Sequence, residues 1–380
     1  MSAPLRFQIH NRCAETNART GTVETLHGAF DTPAFMPVGT RGTVKGILPE
    51  QLRAVGSEML LANTYHLHLR PGEEVVRELG GLHRFMGWDG PILTDSGGYQ
   101  VFSLGHITAL DDDGATIDSV VDGSPVRLTP ERVVDIQLAL GPDVLMAFDE
   151  CPSDPTERAA VERATDRTHR WLERCVRRWR ERDGLATGNA LFGIVQGGIF
   201  PELRRASVEA VVAHDLPGYA VGGVSTGERR EDMLAAVEVA APLLPADRPR
   251  YLMGVGTPLD FVDAIDRGID LFDCVTPTRH GRNHQAFTSE GRLNLRNQRW
   301  RTDDSPVDAG CDCPCCTGFT KGYVRHHCKT NEMLAGVLLT LHNLRYFHRL
   351  LERMRAAIRD GSFPALAEEL GASELLPARP

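Results

Sequence analysis

The sequence predicts an α/β protein whose main body is a (β/α)8 TIM barrel. Eight short apolar runs have the composition of strands buried on both faces, and amphipathic helical patterns lie between them. A chain of 380 residues, 42% of them hydrophobic, is long and apolar enough for one such barrel. The eight runs cover residues 34–39, 58–63, 91–95, 144–149, 191–196, 218–223, 250–256 and 270–275.

Three segments depart from this alternation and suggest domain boundaries. The first 30 residues are expected to form a hairpin over the N-terminal end of a barrel that spans residues 1–275. Residues 101–129 follow the third strand and contain an Asp-Gly pair typical of a hairpin turn, so they are expected to form a flap beside the barrel mouth. Residues 276–330 form an insertion after the eighth strand, and residues 331–380 supply the helical segment that completes the barrel.

Composition and charge exclude a membrane protein and locate one basic segment. The N-terminus lacks a charged leader followed by an apolar run, and no stretch approaches the roughly 18 uninterrupted apolar residues of a membrane span. We therefore expect a cytoplasmic protein with no membrane partner. The chain carries a net charge of -9, yet residues 276–330 hold nine Lys and Arg against five Asp and Glu. Such a local basic stripe can bind phosphate groups on an otherwise acidic protein.

A cluster of cysteines in the insertion predicts a metal site. The chain has nine cysteines, an odd number, and four of them fall within residues 311–316, which favours metal binding in a reducing compartment over disulfides. Cys311, Cys313 and Cys316, with His342 from the following helix, supply three thiolates and an imidazole, the closed tetrahedral set of structural Zn²⁺. Alternatives remain open for two ligands: Cys315 can replace Cys316, and Cys328, His326 or His327 can replace His342.

Three aspartates mark the predicted barrel mouth, where TIM barrels place their chemistry. Asp95, Asp149 and Asp273 stand at or near the ends of the third, fourth and eighth strands. A single Asp after a strand is often only a helix cap or a turn former. Three of them within apolar runs predict a functional site. Two carboxylates at one site suit covalent chemistry at a sugar carbon, with one group attacking and the other moving protons.

A different enzyme class is suggested by His66 and His68 after the second strand. Metal-dependent hydrolases built on barrels often use a His-x-His pair as ligands. That class also needs histidines at other strand ends, and the fifth and sixth strands end in Gln196 and Gly223. We therefore interpret the two histidines as loop or packing residues.

Several longer motifs resemble one family across nearly the whole chain. They are DSGGYQVFSL (95–104), FDEC (148–151), GIVQGG (193–198), the GGV-GE pattern (222–228), YLMGVGTP (251–258), LFDCVTPTRHGRN (271–283) and the C-x-C-x-x-C knuckle with a distant His. This set resembles the tRNA-guanine transglycosylases of the bacterial type. The resemblance implies exchange of guanine for preQ1 at wobble position 34 of U-G-U anticodons, in tRNAs for Asp, Asn, His and Tyr, during queuosine biosynthesis.

The resemblance also implies roles for individual residues. Asp273 is expected to be the nucleophile that attacks C1′ of the ribose, and Asp95 the general acid and base. Substrate binding is expected from Tyr99 and Met253 around the ring, Asp149, Gln196 and the Gly223 N–H at its polar edge, and Cys151, Val224 and Glu228. Contact with the tRNA anticodon loop is expected from Arg279, Arg282 and Lys45. Zinc is expected to be structural, with one ion in each subunit of a homodimer.

One loop departs from the bacterial pattern. The chain reads Gly223-Val224-Ser225-Thr226-Gly227-Glu228 where bacterial members usually have a Leu-Ala-Val stretch. Thr226 has the shape of Val, so together with Cys151 it is expected to keep the pocket narrow and to favour preQ1 over queuine. A function of a different class is that of a non-catalytic partner subunit, which keeps the barrel and the zinc knuckle but lacks the aspartates of the site. All three aspartates are present in this chain.

Overall fold

In the computed structural model, residues 4–99, 107–184 and 186–374 are described. Sixteen strands occur in these ranges, most of them short. In chain order they are β1 (Arg6–Arg12), β2 (Arg19–Thr25), β3 (Gly28–Thr32), β4 (Ala34–Gly39), β5 (Leu60–Asn63), β6 (Ile92–Asp95), β7 (Ile107–Asp111), β8 (Gly114–Asp118), β9 (Pro125–Leu128), β10 (Val144–Met146), β11 (Ala190–Val195), β12 (Gly218–Val221), β13 (Arg250–Leu252), β14 (Leu271–Cys274), β15 (Gln285–Thr288) and β16 (Gly291–Asn294).

Helices separate the barrel strands and dominate the C-terminal part. They are α1 (Pro49–Ala54), α2 (Thr64–Leu69), α3 (Glu73–Glu78), α4 (Gly81–Met86), α5 (Pro130–Leu140), α6 (Arg158–Glu181), α7 (Pro201–Val212), α8 (Arg230–Ala240), α9 (Pro258–Asp266), α10 (Thr276–Arg282), α11 (Pro314–Gly318), α12 (Lys321–Thr330), α13 (Met333–Asp360) and α14 (Phe363–Glu374). Within the described ranges, no helix combines the length and the apolar character needed to cross a membrane.

Eight parallel strands close into a barrel in the order β10-β11-β12-β13-β14-β4-β5-β6. These are the eight apolar runs of the sequence, so the predicted TIM barrel is confirmed. Successive side chains along each strand point alternately into the barrel and out of it, and they therefore belong to two separate apolar cores. Met36, Leu61 and Phe192 belong to the core inside the barrel, whereas Phe35 and Leu60 belong to the core between the strands and the outer helices.

The N-terminal segment forms three antiparallel strands, β1, β2 and β3, where we expected a two-stranded hairpin. Only Pro33 separates β3 from β4, so the sequence reads as one extended run. Leu5, Val23 and Phe30 from this sheet are buried in the core that fills the barrel interior. The sheet therefore closes the N-terminal end of the barrel, and the opposite end is left for the functional site.

The expected flap begins at residue 101, and residues 100–106 lie outside the described residues. Beyond them, β7, β8 and β9 form a separate three-stranded antiparallel sheet. The core between the barrel strands and the outer helices, which is the main core, includes the buried side chains of Ala115, Ile117 and Leu128. The described part of this insertion is therefore attached to the barrel by apolar contacts.

After β14 the chain builds a third, smaller apolar core. Strands β15 and β16 pair antiparallel, and Ala286, Leu295 and Val307 pack with the cysteines of residues 311–316 and with the start of α13. Helix α13 contributes Leu338 to this core and Leu344 to the main core. The expected domain boundaries at residues 275 and 330 remain a prediction, because one helix serves both cores.

Candidate active site and metal centre

Three carboxyl groups lie at or just after the C-terminal ends of three barrel strands. Asp95 ends β6, Asp273 is the penultimate residue of β14, and Asp149 follows β10 by three residues. Because the strands are parallel, these ends share one rim. Each carboxyl group accepts hydrogen bonds from a different set of backbone and side-chain donors, and these sets suit the three groups to different chemical roles.

Asp273 is held through one oxygen. Its Oδ1 accepts a 2.6 Å hydrogen bond from the Tyr251 hydroxyl and a 2.7 Å bond from the Gly254 N–H. Within the described ranges, no hydrogen bond reaches the other oxygen, Oδ2. Burial raises the pKa of Asp273, and the bonds from Tyr251 and Gly254 partly offset that rise. The carboxylate is therefore oriented while one oxygen stays available for reaction.

Asp95 accepts hydrogen bonds through both of its carboxyl oxygens. Its Oδ2 accepts a 2.5 Å bond from the Asn63 side-chain amide, and its Oδ1 accepts from the backbone N–H groups of Thr64 at 3.1 Å and Gly97 at 3.2 Å. Burial raises the pKa of Asp95 to about 7, and the nearby charge of Asp273 adds to the rise. A carboxyl group with this pKa can give and take a proton near neutral pH.

Asp149 is the most buried of the three residues, with only 6% of its surface exposed. The Ser96 hydroxyl donates to its Oδ1 at 3.2 Å, and the Gln196 side-chain amide donates to its Oδ2 at 2.8 Å. Burial raises its pKa to about 6. A Cβ atom on Gly98 would lie 2.5 Å from Oδ1 of Asp149, so glycine is required at that position.

Gln196 and Gly223 meet beside Asp149. Gln196 is fully buried, and its side-chain oxygen Oε1 has no hydrogen-bond partner among the described residues. Gly223 has φ of 59°, and a Cβ there would lie 2.1 Å from that oxygen. Both the backbone conformation and the close contact therefore require glycine. The Gly223 N–H also makes no hydrogen bond within the part of the chain that the structure describes.

The loop after β12 is closed by Glu228. Its carboxylate accepts hydrogen bonds from the backbone N–H groups of Ser225, Thr226 and Gly227. Glu228 therefore binds its own loop in this structure. Val224 is buried, and the hydroxyl of Thr226 is buried with no hydrogen-bond partner in the described part of the chain.

Other expected pocket residues surround this loop. Cys151 is buried, and burial raises the pKa of its thiol to about 12, so it is an inert neutral group. A Cβ on Gly222 would lie 3.5 Å from the Met253 sulfur, which places Met253 beside the same loop. Tyr99 is 52% exposed at the rim, next to residues outside the described ranges.

The expected RNA-binding cations lie on the same side of the barrel. Arg279 and Arg282 belong to α10, which begins three residues after Asp273. Their mutual repulsion contributes to a lowered pKa of Arg282, although burial is the larger cause. Lys45 is exposed, and its charge and that of Arg41 lower the pKa of His66, again after burial. No described carboxylate forms an ion pair with Lys45, Arg279 or Arg282.

Sequence reasoning missed three residues that organise the site: Tyr251, Asn63 and Arg204. Tyr251 and Asn63 donate to Asp273 and Asp95, and neither stood out within its apolar run. Arg204 is fully buried on α7. Its spacing from Ser207, Val208 and Val211 gives i, i+3, i+4 and i+7, the helical signal for one buried face. That signal was present in the sequence.

The cysteine cluster of the insertion is assembled in the structure. Cys311, Cys313, Cys316 and His342 are all buried, and their ligand atoms lie within 4.8 Å of one another. His342 Nδ1 lies 3.3 Å from the Cys316 sulfur, and its Nε2 lies 2.7 Å from the Phe287 carbonyl oxygen. This carbonyl fixes the ring so that Nδ1 faces the sulfurs. Three sulfurs and one imidazole form a closed set that fits Zn²⁺.

The alternative ligands lie outside this set. Cys315 is fully buried in the apolar core of the insertion. His66 and His68 belong to neither of the metal-competent groups found in the described residues. The second such group, His27, His83 and Asp143, lies at the opposite end of the barrel.

The His27, His83 and Asp143 group is satisfied without an ion. Each Asp143 oxygen lies within 3.1 Å of one imidazole nitrogen and accepts a bond from one backbone N–H. The two imidazole rings stack with centroids 3.5 Å apart. Rings of two histidines that bind one metal ion diverge from it, so this stacked arrangement favours hydrogen bonding.

Comparison with known proteins decides the family. A family model described as queuine tRNA-ribosyltransferase matches residues 13–374. A protein of that name from Thermus thermophilus is 54% identical over 366 residues, which cover 96% of this chain and 93% of the relative. Another from Bacillus pumilus is 48% identical over 366 residues, covering 96% and 95%. A third, from a Synechococcus species, is 54% identical over 357 residues, covering 94% and 95%.

This chain belongs to the queuine tRNA-ribosyltransferase family. It is a tRNA-guanine transglycosylase, a tRNA-modifying transferase of the queuosine pathway. The family and the enzyme class predicted from the sequence motifs are thus confirmed. In this transglycosylase the barrel mouth holds three carboxyl groups, and the insertion holds a buried cluster of three cysteines and one histidine that can bind a metal ion such as zinc.

Proposed function

We propose that this transglycosylase exchanges guanine at wobble position 34 of U-G-U anticodons for preQ1, by double displacement through a covalent intermediate. The target tRNAs are those for Asp, Asn, His and Tyr. One observation carries the proposal: Asp273 is oriented through a single oxygen, and it lies close enough to Asp95 for its charge to raise the pKa of that group. Two such carboxyl groups suit attack at a sugar carbon with proton transfer.

In the first displacement, an oxygen of the Asp273 carboxylate attacks C1′ of the target ribose. The bond between C1′ and N9 breaks, its electron pair leaves with guanine, and Asp95 donates a proton to the leaving base. The product is an ester that joins Asp273 to C1′. The free base then leaves the pocket.

In the second displacement, preQ1 enters and its N9 proton passes to Asp95. N9 attacks C1′, the ester bond breaks, and the Asp273 carboxylate is regenerated. Two inversions at C1′ restore the original configuration. Asp95 begins and ends the cycle protonated, a role that suits its raised pKa.

Base recognition is assigned to the buried polar groups around Asp149. Its carboxylate accepts hydrogen bonds from N1–H and the exocyclic amine of the base. The Gln196 amide has a second hydrogen to donate to O6, and the Gly223 N–H is a further donor to the same atom. Tyr99 and Met253 contact the two faces of the ring.

The remaining proposed contacts with the base and the RNA lie on the side of the barrel that carries the three aspartates. Cys151 and Val224 line the space for the 7-substituent, and Glu228 holds the loop that borders it. Arg279 and Arg282 read the uridines that flank the target guanine, and Lys45 contacts phosphate. Support for these cations comes from their position beside the mouth and from their lack of described carboxylate partners.

The metal is proposed to be one structural Zn²⁺ in each subunit, bound by Cys311, Cys313, Cys316 and His342. All four ligands are protein groups, which leaves no position for substrate. The ion ties residues 276–330, the proposed zinc-binding insertion, to helix α13. It contributes folding energy, and the barrel residues carry out the reaction.

We further propose that the enzyme is a homodimer of the cytoplasm. Tyr323 is 40% exposed and Met333 is 88% exposed, on both sides of the junction between α12 and α13. Exposed apolar side chains of this size suit a subunit interface. All nine cysteines are unpaired, as expected in a reducing compartment. Light scattering on the purified protein tests the dimer, and a monomer at micromolar concentration would contradict it.

The experiment that tests the proposed function is base exchange. The enzyme is incubated with radiolabelled guanine and an in vitro transcribed tRNA that carries U-G-U, with and without preQ1. We expect label to enter the tRNA and preQ1 to displace it. A matched tRNA with U-A-U in the anticodon is the control for the target position. Label in both tRNAs, or retention of label with preQ1 in excess, would contradict the proposal.

A further inference from the structure

Arg204 is a buried cation that sits directly beneath the two loops which border the base pocket. Its side chain comes from the first turns of α7 and is fully buried. Gly197 permits this approach, because a Cβ there would lie 2.7 Å from the Arg204 backbone nitrogen. Burial lowers the pKa of Arg204 to about 10, so the guanidinium is still charged at neutral pH.

Within the described ranges, the guanidinium donates only to backbone carbonyl groups. Nε donates to Gly198 at 2.8 Å, and Nη1 donates to Val195 at 3.1 Å and to Gly222 at 2.6 Å. Nη2 donates to Gly223 at 3.0 Å. Two of these carbonyls belong to the end of β11 and its loop, and two belong to the loop after β12. Arg204 therefore joins the Gln196 loop to the Gly223 loop.

The bond to the Gly222 carbonyl determines where the Gly223 N–H points. These two groups belong to one peptide unit, which is trans in this structure. In a trans peptide the C=O and the N–H point in opposite directions. Because Arg204 holds the carbonyl, the N–H of Gly223 is directed away from the guanidinium, and it has no described acceptor. A charge-assisted bond to the carbonyl also polarises the peptide and strengthens the N–H as a donor.

We infer that Arg204 is a positioning residue for base recognition, which acts by holding the Gly222–Gly223 peptide so that its N–H meets the carbonyl oxygen O6 of the base. This inference rests on the proposed function, in which the Gly223 N–H donates to O6. The inference adds a determinant of specificity, because an oriented N–H donor binds a base with a strong acceptor at position 6 more tightly than a base with a weak one. A residue with a purely structural role would affect all bases equally.

The test compares two bases in two variants. 6-Thioguanine keeps N1–H and the exocyclic amine but replaces O6 with sulfur, a weak acceptor. Arg204→Lys keeps the charge and loses the planar fork. The control is Arg19→Lys, because Arg19 is equally buried and makes four hydrogen bonds at the closed end of the barrel. KM for guanine and Ki for 6-thioguanine are measured in the exchange assay, and melting temperatures are recorded for all proteins.

In the wild-type enzyme we expect guanine to bind more tightly than 6-thioguanine. In Arg204→Lys we expect KM for guanine to rise about 2- to 12-fold, the range for one neutral hydrogen bond, while Ki for 6-thioguanine changes less than twofold. Arg19→Lys should leave the ratio of KM for guanine to Ki for 6-thioguanine at its wild-type value. Equal changes for both bases in Arg204→Lys would overturn the inference.

Three further outcomes are separable. If the wild-type enzyme exchanges no base, the proposed function has failed rather than the role of Arg204. If it exchanges guanine but binds the two bases equally tightly, the proposed bond from the Gly223 N–H to O6 is wrong, and the inference about Arg204 is overturned. If Arg204→Lys does not fold, Arg204→Gln, which retains two N–H donors, takes its place. Failure of both variants to fold while Arg19→Lys folds would assign Arg204 to fold stability and overturn the positioning role.

Discussion

The Tyr251 hydroxyl donates a 2.6 Å hydrogen bond to Oδ1 of Asp273, and the Gly254 N–H donates to the same oxygen. Both donors come from β13 or the residues directly after it, so one neighbouring strand end orients the carboxylate. Oδ2 is left without a described donor. An oxygen with no hydrogen bond to the protein keeps its lone pairs for attack, which is what a nucleophilic carboxylate requires.

Replacement of Asp273 by Ala should abolish both base exchange and the covalent enzyme–RNA adduct. The physical reason is that the ester forms through this carboxylate, and the other carboxyl groups of the rim are fixed by their own hydrogen-bond donors. Denaturing gel electrophoresis of enzyme incubated with labelled tRNA measures the adduct directly. An adduct that survives in Asp273→Ala would show that another group attacks C1′.

Replacement of Tyr251 by Phe should shift the acid limb of the pH–rate profile to higher pH. The tyrosine hydrogen bond stabilises the charged form of Asp273 and so lowers its pKa against the larger effect of burial. Without it the pKa rises, and the fraction of reactive carboxylate falls at each acidic pH. The measurement is kcat/KM for tRNA across the acidic range.

Tyr219→Phe is the matched control for this profile. Tyr219 is a buried tyrosine on the adjacent strand β12, and its hydroxyl accepts a bond from the Leu216 backbone N–H. The Tyr219→Phe variant should leave the acid limb of the pH–rate profile at its wild-type position. A Tyr251→Phe profile that coincides with the wild type would mean that the hydroxyl does not affect the titrating nucleophile.

Replacement of Asp95 by Asn should lower exchange while tRNA binding persists. The amide keeps the shape of the carboxyl group and removes the titrating proton, and general acid–base groups contribute about 100- to 10,000-fold. In the wild type, release of guanine should decline as pH rises through about 7, the pKa to which burial raises Asp95, because the group must be protonated to assist the leaving base. Single-turnover guanine release across pH, with tRNA binding by filter retention, tests both statements. Near-normal exchange in Asp95→Asn would remove Asp95 from this role.

The barrel was predictable because its strands are buried on both faces, so unbroken apolar runs mark them. The three rim aspartates stood out for the same reason, as charges inside apolar runs. The groups that orient them are less visible. Tyr251 is a buried aromatic residue in a strand, a common occurrence that carries no chemical signal until its partner is known. The third N-terminal strand was missed because a single proline separates it from β4.

Other features depend on contacts that the sequence does not encode locally. The choice of Cys316 over Cys315 depends on which face of α11 is turned toward α13, and hence on tertiary packing. Arg204 was hidden by its chemistry, since a helix arginine is usually solvated. Its donors bind backbone carbonyls from two different loops. Only the spacing of its buried neighbours along α7 distinguishes it from a surface cation.

Replacement of Cys313 or His342 by Ala should lower zinc content and folding yield together. A set of four protein ligands makes metal binding part of the folding energy of the insertion, and His342 also joins α13 to the Phe287 carbonyl. Metal analysis of the purified variants and their melting temperatures give the two readouts. Cys315→Ala is the control, because its thiol lies outside the ligand set and its loss should leave zinc bound. A Cys313→Ala variant that loses zinc yet melts at the wild-type temperature would contradict a structural role.

Thr226 and Cys151 should make the enzyme prefer preQ1 to queuine, although queuine appears in the name of the family. The Thr226 hydroxyl is buried with no described hydrogen-bond partner, Cys151 is buried, and a larger 7-substituent would have to displace such groups. Overpacking of this kind costs about 1 to 3 kcal/mol, so preQ1 should outcompete queuine by about 5- to 150-fold. Thr226→Gly should narrow that preference, because it removes the branched side chain. Ser225→Gly, at the exposed neighbouring position with φ of 60°, should leave it unchanged. Competition between the two bases for a U-G-U tRNA measures the ratio, and equal use of both by the wild-type enzyme would show that this loop does not restrict the pocket.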